Sequence, residues 1–261
     1  MKRIATAAVL IPATIWIVLA APHMVFLALV AAVGLFAFHE FDNIAAASGI
    51  RRAGWPAMAA GLALLLAPDP FIVFVLIAML AMALSLRADN LRAALPAAAA
   101  FTLGVIYVFG AWRCGEALHN INSHWLLFAL LLNWAGDTCA YYVGKSIGKH
   151  KLAPIVSPAK TWEGSAGAVV GALIGGFVYA HYLIPKAPVP LVILAAAVGN
   201  IAGQAGDLCE SALKRGAGVK DSGTFLPGHG GWLDRIDSAL FGVPAVYAVL
   251  TIWSGLKPLQ P

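Results

Sequence analysis

The sequence consists mainly of apolar segments long enough to cross, or nearly cross, the roughly 30 Å hydrocarbon core of a bilayer. They run over about residues 4–21, 23–41, 55–67, 70–86, 94–112, 124–144, 164–184, 189–210 and 236–255. Lipid offers the backbone no hydrogen-bond partner, so segments of this length are expected to be helical. We predict an all-α, polytopic integral membrane helical bundle with about nine transmembrane helices, forming one membrane domain over residues 1–261. The segment 55–67 is short, and a re-entrant or interfacial helix is the alternative there.

Composition excludes an ordinary soluble domain. Hydrophobic residues make up 61% of the chain and the mean hydropathy is +0.84, whereas soluble domains are about 45–50% apolar. Cys114, Cys139 and Cys209 are scattered without a CxxC motif, so they indicate neither a disulfide framework nor a thiolate metal site. The N-terminus superficially resembles a signal peptide, but further apolar segments follow at once and favour a retained first helix.

The positive charges predict an orientation. With the N-terminus in the cytoplasm, only Arg113, Lys186 and Lys257 of the 17 Lys and Arg residues fall on the far side. Cytoplasmic loops are enriched in Lys and Arg, so the charge distribution supports nine spans. The net charge of +5 is therefore interpreted as a consequence of membrane topology rather than as a sign of nucleic-acid binding. The connections 144–163 and 211–235 then emerge together on the cytoplasmic face, where they are expected to form one site.

The stretch 203–238 concentrates acidic and basic residues in a chain that is only 11% charged. Asp207 and Glu210 are three residues apart near the end of one predicted span, and Asp234 and Asp237 repeat that spacing at the start of the next. Residues at this spacing share a helix face, and Mg²⁺ takes hard oxygen ligands together with water and phosphate oxygens. The alternative is that these carboxylates only pair with neighbouring Lys and Arg side chains.

A glycine-rich loop, Leu226-Pro227-Gly228-His229-Gly230-Gly231, lies between these acidic pairs. Glycines allow close backbone approach and leave N–H groups available to an anion, so the loop is predicted to bind phosphate. His229 is a candidate acid/base group or phosphate donor, and a capping histidine is the alternative.

A second group of polar residues lies upstream. Asp137 interrupts an apolar span, which makes it a candidate functional residue, with an interhelical hydrogen bond as the alternative. The Ser157-Pro158-Ala159-Lys160-Thr161 segment is predicted to be a constrained turn suited to a triphosphate. Gly144–His150 only approximates a Walker loop. His39, Glu40 and Asp42 end the second predicted span and are interpreted as an interfacial helix end, with a place in the site as the alternative. The spacing of Gly167, Gly171 and Gly175 predicts a helix-packing face.

Two blocks of this sequence resemble the phosphatidate cytidylyltransferases (CDP-diacylglycerol synthases). The first is Asp137-Thr138 followed by Gly148-Lys149-His150-Lys151-Leu152-Ala153-Pro154 and Ser157-Pro158-x-Lys160-Thr161-Trp162-Glu163-Gly164. The second is Ser211-x-Leu213-Lys214-Arg215, Lys220-Asp221-x-Gly223, Leu226-Pro227-x-His229-Gly230-Gly231 and Asp234-Arg235-Ile236-Asp237. The resemblance covers roughly 133–238. Trp232 departs from the aliphatic residue or Phe usual in the family, a difference expected to affect packing behind the loop.

The resemblance implies that phosphatidate attacks CTP to give CDP-diacylglycerol and pyrophosphate, with residues 1–130 as a helical scaffold and 131–240 as the catalytic part. The catalytic candidates are Asp207, Asp234, Lys214, Lys220, Arg235 and His229. The substrate-binding candidates are Ser157, Lys160, Thr161, Arg215, Gly230 and Gly231. The Mg²⁺ candidates are Asp207 and Asp234, with Asp137, Glu210 and Asp237 as further possibilities.

The expected partners are CTP, phosphatidate in the bilayer and membrane lipids, with no nucleic acid; a homodimer is also a candidate. The expected location is the inner (cytoplasmic) membrane with the active site facing the cytoplasm. Three alternatives stay open: a CTP-dependent lipid kinase, a cytidylyltransferase for another lipid phosphate, and a lipid-phosphate transporter with Asp137 as a relay.

Overall fold

The fold is known from a computed structural model that describes residues 2–87, 90–223 and 230–256, with side chains from residue 11 onward. The helices of the first part are α1 (Lys2–Leu19), α2 (His23–Ala47), α3 (Gly54–Leu66) and α4 (Pro70–Ser85). A continuous helical stretch, Leu91–Ile121, then contains α5 (Ala94–Val105), a π-helical turn (Ile106–Gly110) and α6 (Ala111–Ile121). The later helices are α7 (Ser123–Ile147), α8 (Trp162–Leu183), α9 (Val189–Gly216) and α10 (Leu233–Leu256).

The chain is a mainly helical, multi-pass membrane protein. Within the described residues six helices are long and apolar enough to cross a membrane: His23–Ala47, Leu91–Ile121, Ser123–Ile147, Trp162–Leu183, Val189–Gly216 and Leu233–Gly255. The predicted count of nine is therefore not confirmed. At 1.5 Å per residue, α3 with 13 residues and α4 with 16 reach only about 20 and 24 Å.

Polar residues placed at helix starts explain several boundaries. The Asp69 side chain accepts the N–H of Phe71 (2.9 Å) ahead of Pro70, and Asn122 accepts the N–H of His124 (2.9 Å). Such caps satisfy backbone donors that the first turn leaves without a partner. On α4 only Ile77 and Ala81 are buried, so most of its apolar surface is available to lipid.

A two-stranded antiparallel hairpin interrupts the helices. Strand β1 (Lys151–Ala153) pairs with β2 (Ser157–Thr161), with Lys151 opposite Thr161. The predicted all-α membrane class fits, because the rest of the described regular structure is helical. The hairpin corrects one prediction: Ser157–Thr161 is a strand rather than a turn, since the reversal of the chain lies at residues 154–156.

The chain divides into two compact units. The first contains residues 2–7, Pro22–Arg113 and Leu213–Ile236. Its core includes Phe109, whose ring occupies the place where side chains at Gly34 and Gly61 would lie. The prediction of a single domain over 1–261 stays a prediction.

The second unit contains Ala8–Ala21, Cys114–Ala212 and residues 237–256. Here α7 and α8 pack closely through small residues. A Cβ at Gly167 would lie 2.7 Å from Val143, and one at Gly171 would lie 2.7 Å from the Cβ of Cys139. The predicted helix-packing role of this glycine row is confirmed. The three cysteines are all free, as predicted.

Candidate active site

A buried ion pair joins the end of α9 to the start of α10 in the first unit. The Lys214 ammonium lies 2.5 Å from Oδ1 of Asp234, and the two side chains are only 8% and 9% exposed. The other carboxylate oxygen, Oδ2, accepts the backbone N–H groups of Ser222 (3.0 Å) and Gly231 (2.8 Å). The structure therefore brings together Lys214, Asp234 and Gly231, three of the residues predicted for the site.

Glu40 of α2 belongs to the same cluster, whereas the sequence favoured an interfacial helix end for it over a place in the site. Its carboxylate is 5% exposed and accepts the Ser222 hydroxyl (2.7 Å) and the N–H groups of Trp232 (3.0 Å) and Leu233 (2.8 Å). The sequence signal was a carboxylate within an apolar segment, which marks a functional candidate by default.

The remaining predicted residues around this cluster are placed as follows. Lys220, Asp221 and Arg235 are exposed. The Arg215 guanidinium donates to the carbonyl oxygen of Val219 (3.1 Å). Gly230 adopts a φ of 76°, a left-handed conformation that favours glycine, and a Cβ there would lie 2.6 Å from Oδ2 of Asp234. His229 and the rest of the segment 224–229 lie outside the described residues.

The second unit holds a separate Lys–Asp pair. The Lys160 ammonium of β2 donates to Oδ2 of Asp207 on α9, while Oδ1 of Asp207 accepts the Ser211 hydroxyl (3.3 Å). These Lys and Asp side chains are 28% and 30% exposed, so solvent reaches this pair more readily than the Lys214–Asp234 pair. Asp137 on α7 is exposed and lies close enough to Asp207 and Lys160 for their charges to interact.

The hairpin that carries Lys160 is fixed to the start of α8. The Glu163 carboxylate accepts the backbone N–H groups of Lys149 (3.2 Å) and His150 (3.2 Å) and contacts Nδ1 of His150 (2.6 Å). The Thr161 side chain is buried and accepts the N–H of Gly164 (3.1 Å), which caps α8. Thr161 thus has an observed capping role, and Ser157 is partly buried on the same strand.

The other acidic candidates are more deeply buried than Asp207. Glu210 is completely buried one helical turn beyond Asp207. Asp237, on α10, is 9% exposed, and its Oδ1 accepts the adjacent N–H of Ser238 (2.6 Å). That each acidic pair lies on one helix is confirmed; that Asp207 and Asp234 share one cation stays a prediction.

A polar row in the second unit was also missed. On α9, Asn200 donates to the carbonyl oxygen of Leu132 (3.2 Å), and Gln204 donates to Asn200 (2.8 Å) and accepts the Ser165 hydroxyl (2.5 Å). Residues 200, 204, 207 and 211 recur at helical spacing, so they share one face of α9 with Asp207. The helical spacing of these four polar residues is visible in the sequence and is sufficient to predict that they share a helix face.

The two aspartates retain capacity for a cation. A carboxylate offers about four acceptor positions. Among the described residues, Asp207 uses one position on each oxygen, and Asp234 uses one on Oδ1 and both on Oδ2. No group of three or more His, Cys, Asp or Glu side chains in residues 11–87, 90–223 and 230–255 is arranged to hold a metal. Mg²⁺ commonly uses one or two carboxylates and completes its shell with water and substrate phosphates, so the acceptor positions that each aspartate retains fit that ion.

Comparisons with known proteins cover nearly the whole chain. The model of the cytidylyltransferase family matches residues 1–253. A phosphatidate cytidylyltransferase from Bacillus subtilis is 42% identical over 158 residues, which is 59% of this chain and 58% of that protein. The protein of the same name from Staphylococcus haemolyticus is 43% identical over 153 residues, 58% of this chain and 59% of its own length. The matched stretch thus spans less than two thirds of these relatives.

Proposed function

The chain belongs to the cytidylyltransferase family, and we propose that it is a membrane nucleotidyltransferase that converts CTP and phosphatidate into CDP-diacylglycerol and pyrophosphate. The observation that carries this proposal is the pair of Lys–Asp contacts, Lys160–Asp207 and Lys214–Asp234, which lie within the stretch 133–238 that resembles the family. Nucleotidyl transfer depends mainly on neutralising phosphate charge and orienting oxygens, and cations next to carboxylates supply groups for both.

The proposed reaction forms one bond and breaks one. A phosphate oxygen of phosphatidate attacks the α-phosphorus of CTP, and the bond from that phosphorus to the β-phosphate bridging oxygen breaks. The bonding electrons leave on pyrophosphate. Since the nucleophile is already an anion, the step needs no strong general base, which agrees with a cluster built from lysines and carboxylates.

Each residue then has a proposed role. Asp207 and Asp234 bind Mg²⁺, which would neutralise phosphate charge when bound, and Asp137, Glu210 and Asp237 are further candidate ligands. Lys160, Lys214 and Lys220 hold the CTP phosphates, with Ser157 and Gly230 as additional phosphate donors. Gly231, whose N–H is bonded to Asp234, lets phosphate approach the backbone closely. Arg215 and Arg235 engage phosphate at the edge of the site. Because Lys160 and Lys214 already contact the aspartates, they position those carboxylates before substrate arrives.

The proposed location is the inner membrane, with nine spans and the charged loops in the cytoplasm. This orientation can be tested in a variant whose three native cysteines are replaced by Ala. A single cysteine at Lys149→Cys should react with a membrane-impermeant thiol reagent only after the cells are opened, whereas Lys186→Cys should react in intact cells. The opposite labelling pattern would reverse the orientation.

The reaction is tested with purified protein, phosphatidate and CTP labelled at either the α- or the γ-phosphate. Label in the lipid product from α-labelled CTP alone supports transfer of the CMP group. Label from γ-labelled CTP would identify a lipid kinase instead. Lipid flux into liposomes without any CTP turnover would favour a transporter.

Variants at the aspartates test the assigned roles. Asp207→Asn and Asp234→Asn should each lower kcat by about 100-fold or more, on the scale of removing one transition-state contact. Asp69→Asn is the matched control, because Asp69 is an exposed carboxylate that caps α4 and Asn is an equally good cap. Wild-type turnover in Asp207→Asn or Asp234→Asn would remove that residue from the metal role.

A further inference from the structure

Glu40 joins the two chain segments on either side of residues 224–229. On one side its Oε2 accepts the Ser222 hydroxyl, and on the other its two oxygens accept the N–H groups of Trp232 and Leu233. These contacts connect α2 with residues that lie 182 to 193 positions further along the chain. The segments on either side of residues 224–229 are therefore attached to the same buried carboxylate.

The same contacts organise the start of α10. The Leu233 N–H donates to Glu40, and the Asp234 N–H lies 3.3 Å from the Ser222 hydroxyl oxygen, which itself donates to Glu40. First-turn N–H groups have no partner within their own helix, and a negative charge at a helix N-terminus is favourable. Glu40 thus accepts, from another helix, a first-turn N–H group of α10.

Packing reinforces this attachment. Phe36, one turn before Glu40 on α2, stacks on the Trp232 ring with centroids 6.3 Å apart and planes inclined by 16°. At Gly231, a Cβ would collide with the Glu40 carboxylate and the Ser222 hydroxyl, and at Gly223 it would lie within 2.8 Å of the Glu40 carboxyl carbon. Glycine at both positions is what allows the backbone to approach the carboxylate.

We propose that Glu40 is a positioning residue for Asp234: it holds Ser222, Trp232 and Leu233 so that the Asp234 carboxylate is aligned for a cation. Asp234 needs this support because its Oδ2 is bonded to the N–H groups of Ser222 and Gly231, both in segments attached to Glu40. Any shift of these segments moves the carboxylate. This inference rests on the proposed function of Asp234.

The test is Glu40→Gln, with Asp42→Asn as the matched control. Either orientation of the Gln amide places its NH₂ group against a backbone N–H, that of Trp232 or that of Leu233, so the attachment cannot be preserved. Asp42 lies two residues further on α2, is 6% exposed against 5% for Glu40, and also accepts two backbone N–H groups. Those groups belong to Ala53 and Gly54 at the start of α3 rather than to the segments attached to Glu40.

Two readouts are measured on detergent-purified, full-length protein: the kinetics of CDP-lipid formation, with the Mg²⁺ concentration for half-maximal rate, and direct Mn²⁺ binding followed by electron paramagnetic resonance. Residues that orient a metal ligand typically change metal affinity or activity by about 10–100-fold. We therefore expect Glu40→Gln to lower kcat and weaken Mn²⁺ binding by about tenfold or more. Asp42→Asn should lower the Tm and leave the Mg²⁺ dependence and Mn²⁺ affinity unchanged.

The outcomes are distinguishable. Wild-type Mn²⁺ affinity and Mg²⁺ dependence in Glu40→Gln, or equal losses in Asp42→Asn, would overturn the positioning role. Should Glu40→Gln not fold, Ser222→Ala, which removes one donor, is expected to show a smaller loss in the same two quantities, and no loss would overturn the role as well. If the wild-type protein binds Mn²⁺ but makes no CDP-lipid, the proposed function fails, while Mn²⁺ binding still decides the role of Glu40.

Discussion

The two Lys–Asp pairs have the same chemistry but different burial, and this difference predicts how much each contributes to stability. Lys214 and Asp234 are 8% and 9% exposed, whereas Lys160 and Asp207 are 28% and 30% exposed. Asp234→Asn and Asp207→Asn remove the same charge and conserve the side-chain shape. The environment of the remaining ammonium therefore accounts for most of the difference between the two variants.

The expected magnitudes follow from that exposure. Breaking a buried ion pair by removing one partner costs about 3–5 kcal/mol, because the other charge stays in a region that water does not reach. Pairs that solvent reaches contribute about 0–1 kcal/mol. We expect Asp234→Asn to lower the free energy of unfolding by at least about 2 kcal/mol more than Asp207→Asn does.

The assay is reversible unfolding by SDS titration in mixed micelles, with EDTA present so that no divalent cation contributes. The double variant Lys214→Met/Asp234→Asn removes both partners of the buried pair and should recover much of the loss, giving a coupling energy of about 2 kcal/mol. Lys160→Met/Asp207→Asn provides the parallel cycle. Equal costs for Asp207→Asn and Asp234→Asn, or a coupling energy near zero for the buried pair, would refute the reasoning.

Three further predictions address packing, the hairpin and the metal. Gly171→Ala should lower the free energy of unfolding by about 1–3 kcal/mol, the usual cost of overpacking, because its Cβ would collide with Cys139. The control Gly216→Ala, whose Cβ would have no neighbour within 4 Å, should be near neutral in the same SDS titration. Equal effects of the two substitutions would contradict the packing argument. Glu163→Gln should raise the KM for CTP severalfold, because it weakens the attachment of the hairpin that carries Lys160. Glu116→Gln on α6 is the control. An unchanged KM in Glu163→Gln would exclude a role of Glu163 in positioning the hairpin for CTP. EDTA should reduce CDP-lipid formation to background, with recovery on adding Mg²⁺, and undiminished turnover in EDTA would count against metal assistance.

Much of the secondary structure could be predicted from the sequence because its cause is local. Apolar length predicted where each helix lies: for example, the predicted segment 23–41 corresponds to α2 (His23–Ala47), and 124–144 corresponds to α7 (Ser123–Ile147). A backbone in lipid must satisfy its own hydrogen bonds, so hydropathy is a strong signal there. The glycine row facing α7 was also predictable, since helical spacing alone defines it.

The hairpin shows where local reasoning fails. Ser157–Thr161 contains a proline and reads as a turn, yet it forms a strand because Lys151–Ala153 pairs with it. Strand formation depends on this partner rather than on the segment itself. The observed use of Thr161 as the cap of α8 likewise depends on where the strand ends.

The sequence by itself determined the membrane-helical class, the acidic pairs at helix ends and the family resemblance, because each is written in residues close together along the chain. Only the tertiary structure decided which partner each charge has: Lys214 for Asp234, Lys160 for Asp207, and Ser222 and Leu233 for Glu40. Burial explains these partners. A carboxylate removed from water needs hydrogen-bond donors, and the donors available to it are the groups that packing brings near, regardless of their distance along the chain.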